Sequence, residues 1–462
     1  MVVGSLDIET ELAIIGAGPG GYTAALRAAK AGKEVTVVDA EGELGGVCLH
    51  HGCIPTKSLI HSSDYQHVIE ELEHHGIQID SCDVCIEDIQ KSKDETVQGL
   101  NKGLHHLFDS YGIELIKGRA EFKDEHTLHL SGQSDVTSIT FEEAIIATGG
   151  KPIELPFLPY DEENILSSRE LLEIEEVPES LVIVGGGYIG TEMGTVFGKL
   201  GSQVTIIEQT DQLIPMLPRN VVDVVKDRLG KFNVEVELNA TAKAYRDKAL
   251  IYDKDGEQSV SADKVLVVVG RAPNLDGVSL ENIGLQPNKD GFLDVNKHMQ
   301  TEHPHIYAVG DIIGQPMLAH KAMQQGRVVA KHLVDGESAY DNMVIPAVVF
   351  NDPEIACVGH TEDEARQDGY EPITGQFSFQ GSGRAHTLNK AVGFVEVVAD
   401  KDTHRVLGVQ SVGPDVSNMI AEATLAIEMG ATLQDITRTI HAHPTIPEGL
   451  QEACETALMN NA

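Results

Sequence analysis

Two segments of this chain follow one plan, and together they constrain the fold more than any other feature. Residues 11–16, Glu-Leu-Ala-Ile-Ile-Gly, read as a short buried strand entering Gly16-Ala-Gly18-Pro-Gly-Gly21. A helix from Tyr22 to Ala31 follows, then a strand from Glu34 to Val38 that ends at Asp39. The plan recurs at Leu181-Val-Ile-Val-Gly185-Gly-Gly187-Tyr-Ile-Gly190, with a second strand, Gln203 to Ile207, ending at Glu208. In both copies the acid follows the first glycine by 23 positions. Glycines at these places permit a tight turn and a close approach of backbone to a pyrophosphate, which rests on the helix N-terminus while the acid accepts from a ribose hydroxyl. Two such units imply two bound dinucleotides and an α/β chain of parallel sheets. Glu208 also selects the second nucleotide. A carboxylate accepts from a free 2′-hydroxyl and repels a 2′-phosphate, and Gln209 adds no positive charge, so NAD is favoured over NADP.

Just after the first unit come Gly45-Gly-Val-Cys48-Leu-His-His-Gly-Cys53-Ile-Pro-Thr-Lys57. The segment from Cys53 reads as the first turn of a helix, where Pro55 loses no intrahelical hydrogen bond. Cys53 then lies at the positive end of the helix. That field is worth about 0.3–1 kcal/mol when exposed, and one pKa unit is about 1.4 kcal/mol, so reactive thiol chemistry here requires a cofactor or a separate base as well. An ordinary disulfide or two inert thiols is the competing reading. The adjoining dinucleotide signature favours redox use.

At 462 residues the chain should hold about three domains. Its N-terminus lacks a basic region and no apolar run reaches membrane-spanning length, so the expectation is a soluble, cytoplasmic protein without a signal peptide. Asp and Glu total 72 against 34 Lys and Arg, a net charge of −38 scattered along the chain. The balance excludes nucleic acid as a partner. A scattered excess reads as an acidic shell suited to a salt-rich, halophile-like cytoplasm, or else as an acidic protein with basic partners. The six cysteines, without a secretion signal, do not read as a structural disulfide framework. Cys82-Asp-Val-Cys85 has the C-x-x-C form but no second pair, and surface thiols are its default reading. No metal site is expected.

Between the units, residues 143–148 read as a buried strand ending at Gly149. Lys151 begins a crossing into a second domain that residues 264–274, read as one strand, close. Ile306 to Ile313 returns to the first domain, and beyond about residue 341 alternating stretches suggest an antiparallel sheet followed by helices at 416–429 and 433–440. In the last segment, His443 and Glu448 are candidates for a base and its orienting carboxylate, or two solvated surface groups in a chain with 20 histidines.

The sequence resembles the flavoprotein disulfide reductases. The matching pieces are GAGPGG at 16–21, GGVCLHHGCIPTK at 45–57, ATGG at 147–150, GGGYIGTE at 185–192, VGRAPN at 269–274, YAVGD at 307–311, LAHKA at 318–322 and HAHPTIPE at 441–448. They stand in the family's order from about residue 11 to 455, nearly the whole chain. Within the family, the branch that oxidises dihydrolipoamide is the most similar. The resemblance implies two Rossmann-like domains and a C-terminal α+β dimerisation domain: an FAD-binding domain at 1–150, an inserted NAD-binding domain at 151–272, a central segment at 273–341 and a dimer-interface domain at 342–462.

For the site residues, the resemblance implies that Gly16, Gly18, Gly21, Asp39, Ala120, Gly149, Asp311 and Ala319 hold FAD, with Lys57 beside the flavin and paired with Glu192. Gly185, Gly187, Gly190, Glu208, Ala242 and Gly270 are expected at NAD. It further implies a Cys48–Cys53 redox disulfide, with Cys48 attacked by substrate and Cys53 against the flavin. The base is His443, oriented by Glu448 and supplied by the second subunit of an obligate homodimer. The implied reaction is oxidation of dihydrolipoamide, free or on a lipoyl-bearing protein, with reduction of NAD, and a 2-oxoacid dehydrogenase complex is the implied setting. An NAD(P)H-dependent reductase of another small disulfide is the alternative, and a non-catalytic complex subunit a third. Mercuric reductase is disfavoured by a C-terminal tail without a cysteine pair, glutathione reductase by Glu208, and soluble transhydrogenases by the cysteine pair itself. Two departures concern tuning: His50-His51 replaces the Asn-Val often found between the cysteines, and Gln325-Gly326 replaces Glu-Gly.

Overall fold

A computed structural model describes residues 6–72, 76–79, 83–132 and 135–460. Of the C-x-x-C segment, Cys82 lies outside the described residues and Cys85 is exposed. The chain divides into two compact units. One comprises Met1–Ser58, Glu87–Ile153 and Gly270–Asp341, and the other Leu59–Ile86, Glu154–Val269 and Asn342–Ala462.

The first unit opens with β1 (Leu6–Ile15), α1 (Pro19–Lys30) and β2 (Val35–Asp39). Next come the short α2 (Gly46–His50), α3 (Cys53–Glu71), which passes into the second unit at Leu59, α4 (Ile86–Tyr111), β3 (Glu114–Lys117), β4 (Arg119–Asp124), β5 (Thr127–Ser131) and β6 (Val136–Ile146). They form a sheet ordered β3-β2-β1-β6-β5-β4, in which the strand Ile306–Ala308 also pairs in parallel with β6. Leu12 and Ile14 pack with Ala24, Ala25 and Ala28 of α1, whereas Ala13 and Ile15 pack with Phe122, Leu128 and Ile283. Both faces of β1 are therefore covered, which is why its inner half reads as a continuous apolar run. Helix Ala319–Asp335 lies so close to α1 that a Cβ on Gly326 would stand 2.5 Å from the Gly20 carbonyl. Beside it, Gln325 Oε1 accepts from the Gly310 N–H at 2.9 Å.

The second unit contains a parallel sheet in which Ser180–Val184 is flanked by Gln203–Ile207 and Lys264–Val267. It also holds an antiparallel three-stranded sheet, from Thr241–Arg246 to Glu257–Ser261, and a five-stranded sheet made by residues 347–413. Helices Val416–Glu428 and Glu448–Asn460 pack against this last sheet around Phe379, Val395 and Val409.

Residues 264–274 are not one strand. Lys264–Val267 joins the parallel sheet, the chain then turns through Gly270 at φ +131°, and Arg271–Pro273 pairs with Gly150–Pro152 in the first unit. Apolar content alone read through the break, because a glycine conformation closed to other side chains ends the strand.

Candidate redox and dinucleotide sites

The first glycine loop is built for a ligand backbone. A Cβ on Gly16 would stand 2.4 Å from the Ala147 carbonyl and one on Gly21 1.9 Å from the Gly16 carbonyl, so both positions require glycine. Gly18 by contrast faces open space, and as N-cap of α1 it provides no side-chain cap, which leaves the first-turn N–H groups for an anion. Asp39 ends β2 and accepts from Ala17 N at 3.0 Å through Oδ2 and from Glu41 N and Gly42 N through Oδ1. It fixes the loop backbone and keeps lone pairs for a hydroxyl. Thr148 Oγ1 is buried without a hydrogen-bond partner, and Gly149 at φ +71° has no neighbour within 4 Å of a Cβ. Together these features fit a dinucleotide.

Farther along the same unit, Asp311 sits against Gly150 and 4.0 Å from Arg271 Nε, and Arg271 also donates to the Gly150 carbonyl. Burial pushes the Asp311 carboxyl above its usual range, with Arg271 and Lys321 opposing. Burial equally pulls the Lys321 ammonium down, with Asp311 opposing, while Lys321 donates to Gly314 O at 2.5 Å. Ala120 is buried in β4 opposite Leu130, and Ala319 begins its helix after an N-cap, Leu318, that makes no side-chain cap.

The cysteine segment lies in the same unit. Gly45 N–H donates to Ala17 O at 2.9 Å, and a Cβ on Gly46 would stand 2.7 Å from Gly18 Cα, so α2 starts directly on the glycine loop. Cys53 is the first residue of α3, as the Pro55 argument predicts. Cys48 and Cys53, the pair expected to cycle between dithiol and disulfide, are brought together within hydrogen-bonding reach of one another. The hydrogen bond to Cys53, burial and the Cys53 charge all push the Cys48 thiol up, and Lys57 opposes them. Burial pushes the Tyr22 phenol of α1 up, with the charges of Cys48 and Cys53 adding to it and Arg327 opposing. Cys357 and Cys454 lie elsewhere, in buried positions that push both thiols up to about 12.

In the second unit the loop chemistry repeats. A Cβ on Gly185 would stand 2.5 Å from Val268 O and one on Gly190 2.0 Å from Gly185 O, whereas Gly187 is open and leaves helix Tyr188–Lys199 without a side-chain cap. Buried Glu208 accepts from Gly186 N at 2.6 Å and from Thr210 N and Oγ1 at 2.8 Å. This cradle also fits a dinucleotide, with a carboxylate beside it. Ala242 is buried in Thr241–Arg246. Glu192 is buried and accepts from Phe350 N at 2.9 Å. Gly270 belongs to the first unit.

His443 and Glu448 are brought together. Glu448 opens helix Glu448–Asn460; its Oε1 lies 2.8 Å from His443 Nδ1 and its Oε2 accepts from Thr445 N at 2.6 Å. Burial raises the Glu448 carboxyl, but Thr445, His443 and His441 outweigh it and hold the group below its usual range. The His443 side chain is 80% exposed, which leaves Nε2 outward. A second pair lies beneath this one. The His441 side chain is 5% exposed, with Nε2 2.9 Å from Glu422 Oε1 and Nδ1 3.0 Å from Thr439 O. Both ring nitrogens face oxygen atoms of this same segment. Sequence reasoning missed the pair because 19 residues separate its members. It also assigned no role to Arg271, Lys321 or Tyr22, although each stands inside or beside a motif.

A family model described as pyridine nucleotide-disulphide oxidoreductase matches residues 10–326, and its dimerisation-domain counterpart matches residues 345–454. Dihydrolipoyl dehydrogenase 3 of Haloarcula marismortui is 43% identical, over 99% of this chain and 98% of the relative. The dihydrolipoyl dehydrogenase of Geobacillus stearothermophilus is also 43% identical at the same coverage. Among solved structures, LpdA from Mycobacterium tuberculosis superposes with a TM-score of 0.90 at 27% identity, covering 96% of this chain and 99% of that one. RclA from Escherichia coli, a flavoprotein disulfide reductase, gives 0.86 at 27% with the same coverage. Among the described residues, no helix is long and apolar enough to cross a membrane.

Proposed function

The chain belongs to the pyridine nucleotide-disulphide oxidoreductases, and from that premise we propose that it oxidises dihydrolipoamide to lipoamide and reduces NAD. The observation that carries the reading is the Cys48–Cys53 pair, two thiols in contact at the start of α3 on the glycine loop that fits the first dinucleotide. Whole-chain similarity to dihydrolipoyl dehydrogenases supports the substrate, and Glu208 supports NAD.

Gly16, Gly18, Gly21, Asp39, Gly149 and Asp311 would hold FAD, with Ala120, Ala319 and Lys57 beside it; Gly185, Gly187, Gly190, Glu208 and Ala242 would hold NAD. Bound FAD supplies a two-electron carrier between the cysteine pair and the nicotinamide.

The protein's own groups do the rest. His443, its Nδ1 held by Glu448, takes the proton of a substrate thiol at Nε2. The thiolate attacks Cys48 of the oxidised pair, the Cys48–Cys53 bond breaks, and Cys53 leaves as a thiolate that Lys57 stabilises. The second substrate thiolate then displaces Cys48 and closes the lipoamide disulfide. Two electrons have entered the pair, and overall dihydrolipoamide and NAD+ give lipoamide, NADH and a proton.

A homodimer with active sites shared between subunits fits the family's dimerisation domain. It also fits the large apolar side chains left bare in the C-terminal segment, among them Ile440 at 96% exposure with Leu425, Met429 and Met459. The acidic excess supports a salt-rich cytoplasm as the setting. A 2-oxoacid dehydrogenase complex is the natural source of the lipoyl substrate.

The test is NADH formation from dihydrolipoamide and NAD in molar KCl, set against NADH- and NADPH-driven reduction of glutathione disulfide and other small disulfides. Fast NADH formation supports the reading. Turnover of another disulfide alone would keep the mechanism and replace the substrate.

A further inference from the structure

The two histidines between the cysteines stand where the family often has Asn-Val, and the structure gives the first of them a task. The helix that carries Cys48, α2, has only five residues, too few to hold its shape unaided. It is entered through Gly45 at φ 108° and Gly46 at φ 56°, which have no side chains to anchor it. At its far end the His50 ring turns back by six residues and donates from Nε2 to Leu44 O at 2.9 Å. From α4, Asn101 Nδ2 donates to the same oxygen, also at 2.9 Å, and the two donors stand 3.4 Å apart. Leu44 is fully buried, so its carbonyl has no water to fall back on. Both lone pairs of that oxygen are filled by these side chains.

We infer that His50 and Asn101 are positioning residues for the redox reaction: they clasp the Leu44 carbonyl, close the turn around Cys48 and fix that sulfur against Cys53. His50 closes the loop from within and Asn101 fastens it to a long helix of the same unit. The inference rests on the proposed thiol–disulfide function. Exchange at Cys48 needs the incoming thiolate, Cys48 and Cys53 held in one geometry, and a turn free to swing loses that alignment.

The holoenzyme, reduced with dithiothreitol, is treated with iodoacetamide, and Cys48 alkylation is followed by peptide mass spectrometry beside steady-state kinetics. In His50→Ala and in Asn101→Ala, Cys48 alkylation should speed up, and kcat/KM for dihydrolipoamide should fall, each by about fivefold, the effect of one lost hydrogen bond. NADH-driven ferricyanide reduction should stay unchanged. The double variant should lose more than the two single losses combined, because only then is the carbonyl left bare. His50→Gln, whose amide nitrogen reaches about as far as Nε2, should restore both readouts. Unaltered Cys48 alkylation in both single variants would overturn the clasp. If His50→Ala does not fold, Asn101→Ala decides alone, since His50 still holds the turn there. A wild-type enzyme inert toward dihydrolipoamide would refute the substrate and leave the alkylation comparison standing.

Discussion

Glu448 shows how a single carboxylate can do two jobs. One oxygen holds His443 Nδ1 at 2.8 Å and the other is tied to the Thr445 backbone at 2.6 Å, so the imidazole is fixed in the tautomer whose Nε2 can accept a proton. Glu448→Gln keeps the shape and loses the charge that stabilises the imidazolium. It should lower kcat for dihydrolipoamide by about 100-fold or more, the range of a general base, while NADH still bleaches the yellow protein. Loss of bleaching would instead mean a damaged flavin site. The second residue-scale prediction concerns Glu208, whose carboxylate is pinned by Gly186 and Thr210 and cannot swing away from a 2′-phosphate. The wild type should prefer NADH to NADPH by about 10-fold or more, an unfavourable contact of about 1.4 kcal/mol. Glu208→Ala should narrow that ratio, and a wild type preferring NADPH would refute the assignment. Glu208 was legible in the sequence because its distance from Gly185 is set by one strand and one helix. His441 and Glu422 were not legible, because only the folded C-terminal segment brings them together.

Elements whose sequence carries its own geometry were readable: both glycine loops, where a Cβ would collide with backbone, and the start of α3 at Cys53. Boundaries were less so. β1 begins at Leu6, since its outer residues, Leu6 to Glu9, alternate apolar with acidic side chains and so lack the continuous apolar run of its inner half, and the apparent strand over 264–274 breaks at Gly270. Least readable was the junction at the end of helix Tyr188–Lys199. The Lys199 side chain is 1% exposed; Nζ contacts Asp64 at 2.6 Å and Asp352 at 2.7 Å and lies 4.6 Å above the Phe232 ring. Nothing local marks these residues as partners. Burial pushes the Asp352 carboxyl up, but Lys199, with Lys390 and Arg228 in support, holds it below its usual range. Its stabilising contribution is therefore present above the unfolded value of about 3.9 and lost as pH falls through the lower folded value. Lys199→Met strands Asp352 in a buried site and should cost about 3 kcal/mol or more at neutral pH. The sign then reverses: with burial dominant, the Asp352 pKa rises, and the deficit relative to wild type should shrink as the solution is acidified toward that value. Urea unfolding at several pH values measures it, and a deficit independent of pH would show that Asp352 does not feel the lysine.

At the scale of the whole molecule, 72 acidic against 34 basic side chains put carboxylates well in excess of cations. The net charge of −38 is spread over the chain, and mutual repulsion opposes the compact state. The reach of that repulsion is set by salt: the screening length is about 30 Å at 0.01 M and about 3 Å at 1 M. At low salt each surface carboxylate feels many others, whereas in molar salt it feels its immediate neighbours only. The unfolding midpoint should therefore climb steeply from millimolar to molar KCl and flatten once the screening length falls below the spacing of surface charges. The Lys199 junction supplies an internal control. Its lysine is shut away from solvent, so ions screen it far less than they screen surface charges. The penalty of Lys199→Met should stay nearly constant across the same salt series, with wild type and variant following parallel curves. Parallel curves with a rising midpoint separate shell repulsion from buried pairing. A wild-type midpoint indifferent to KCl would mean that the acidic excess serves basic partners in place of a salt-rich medium.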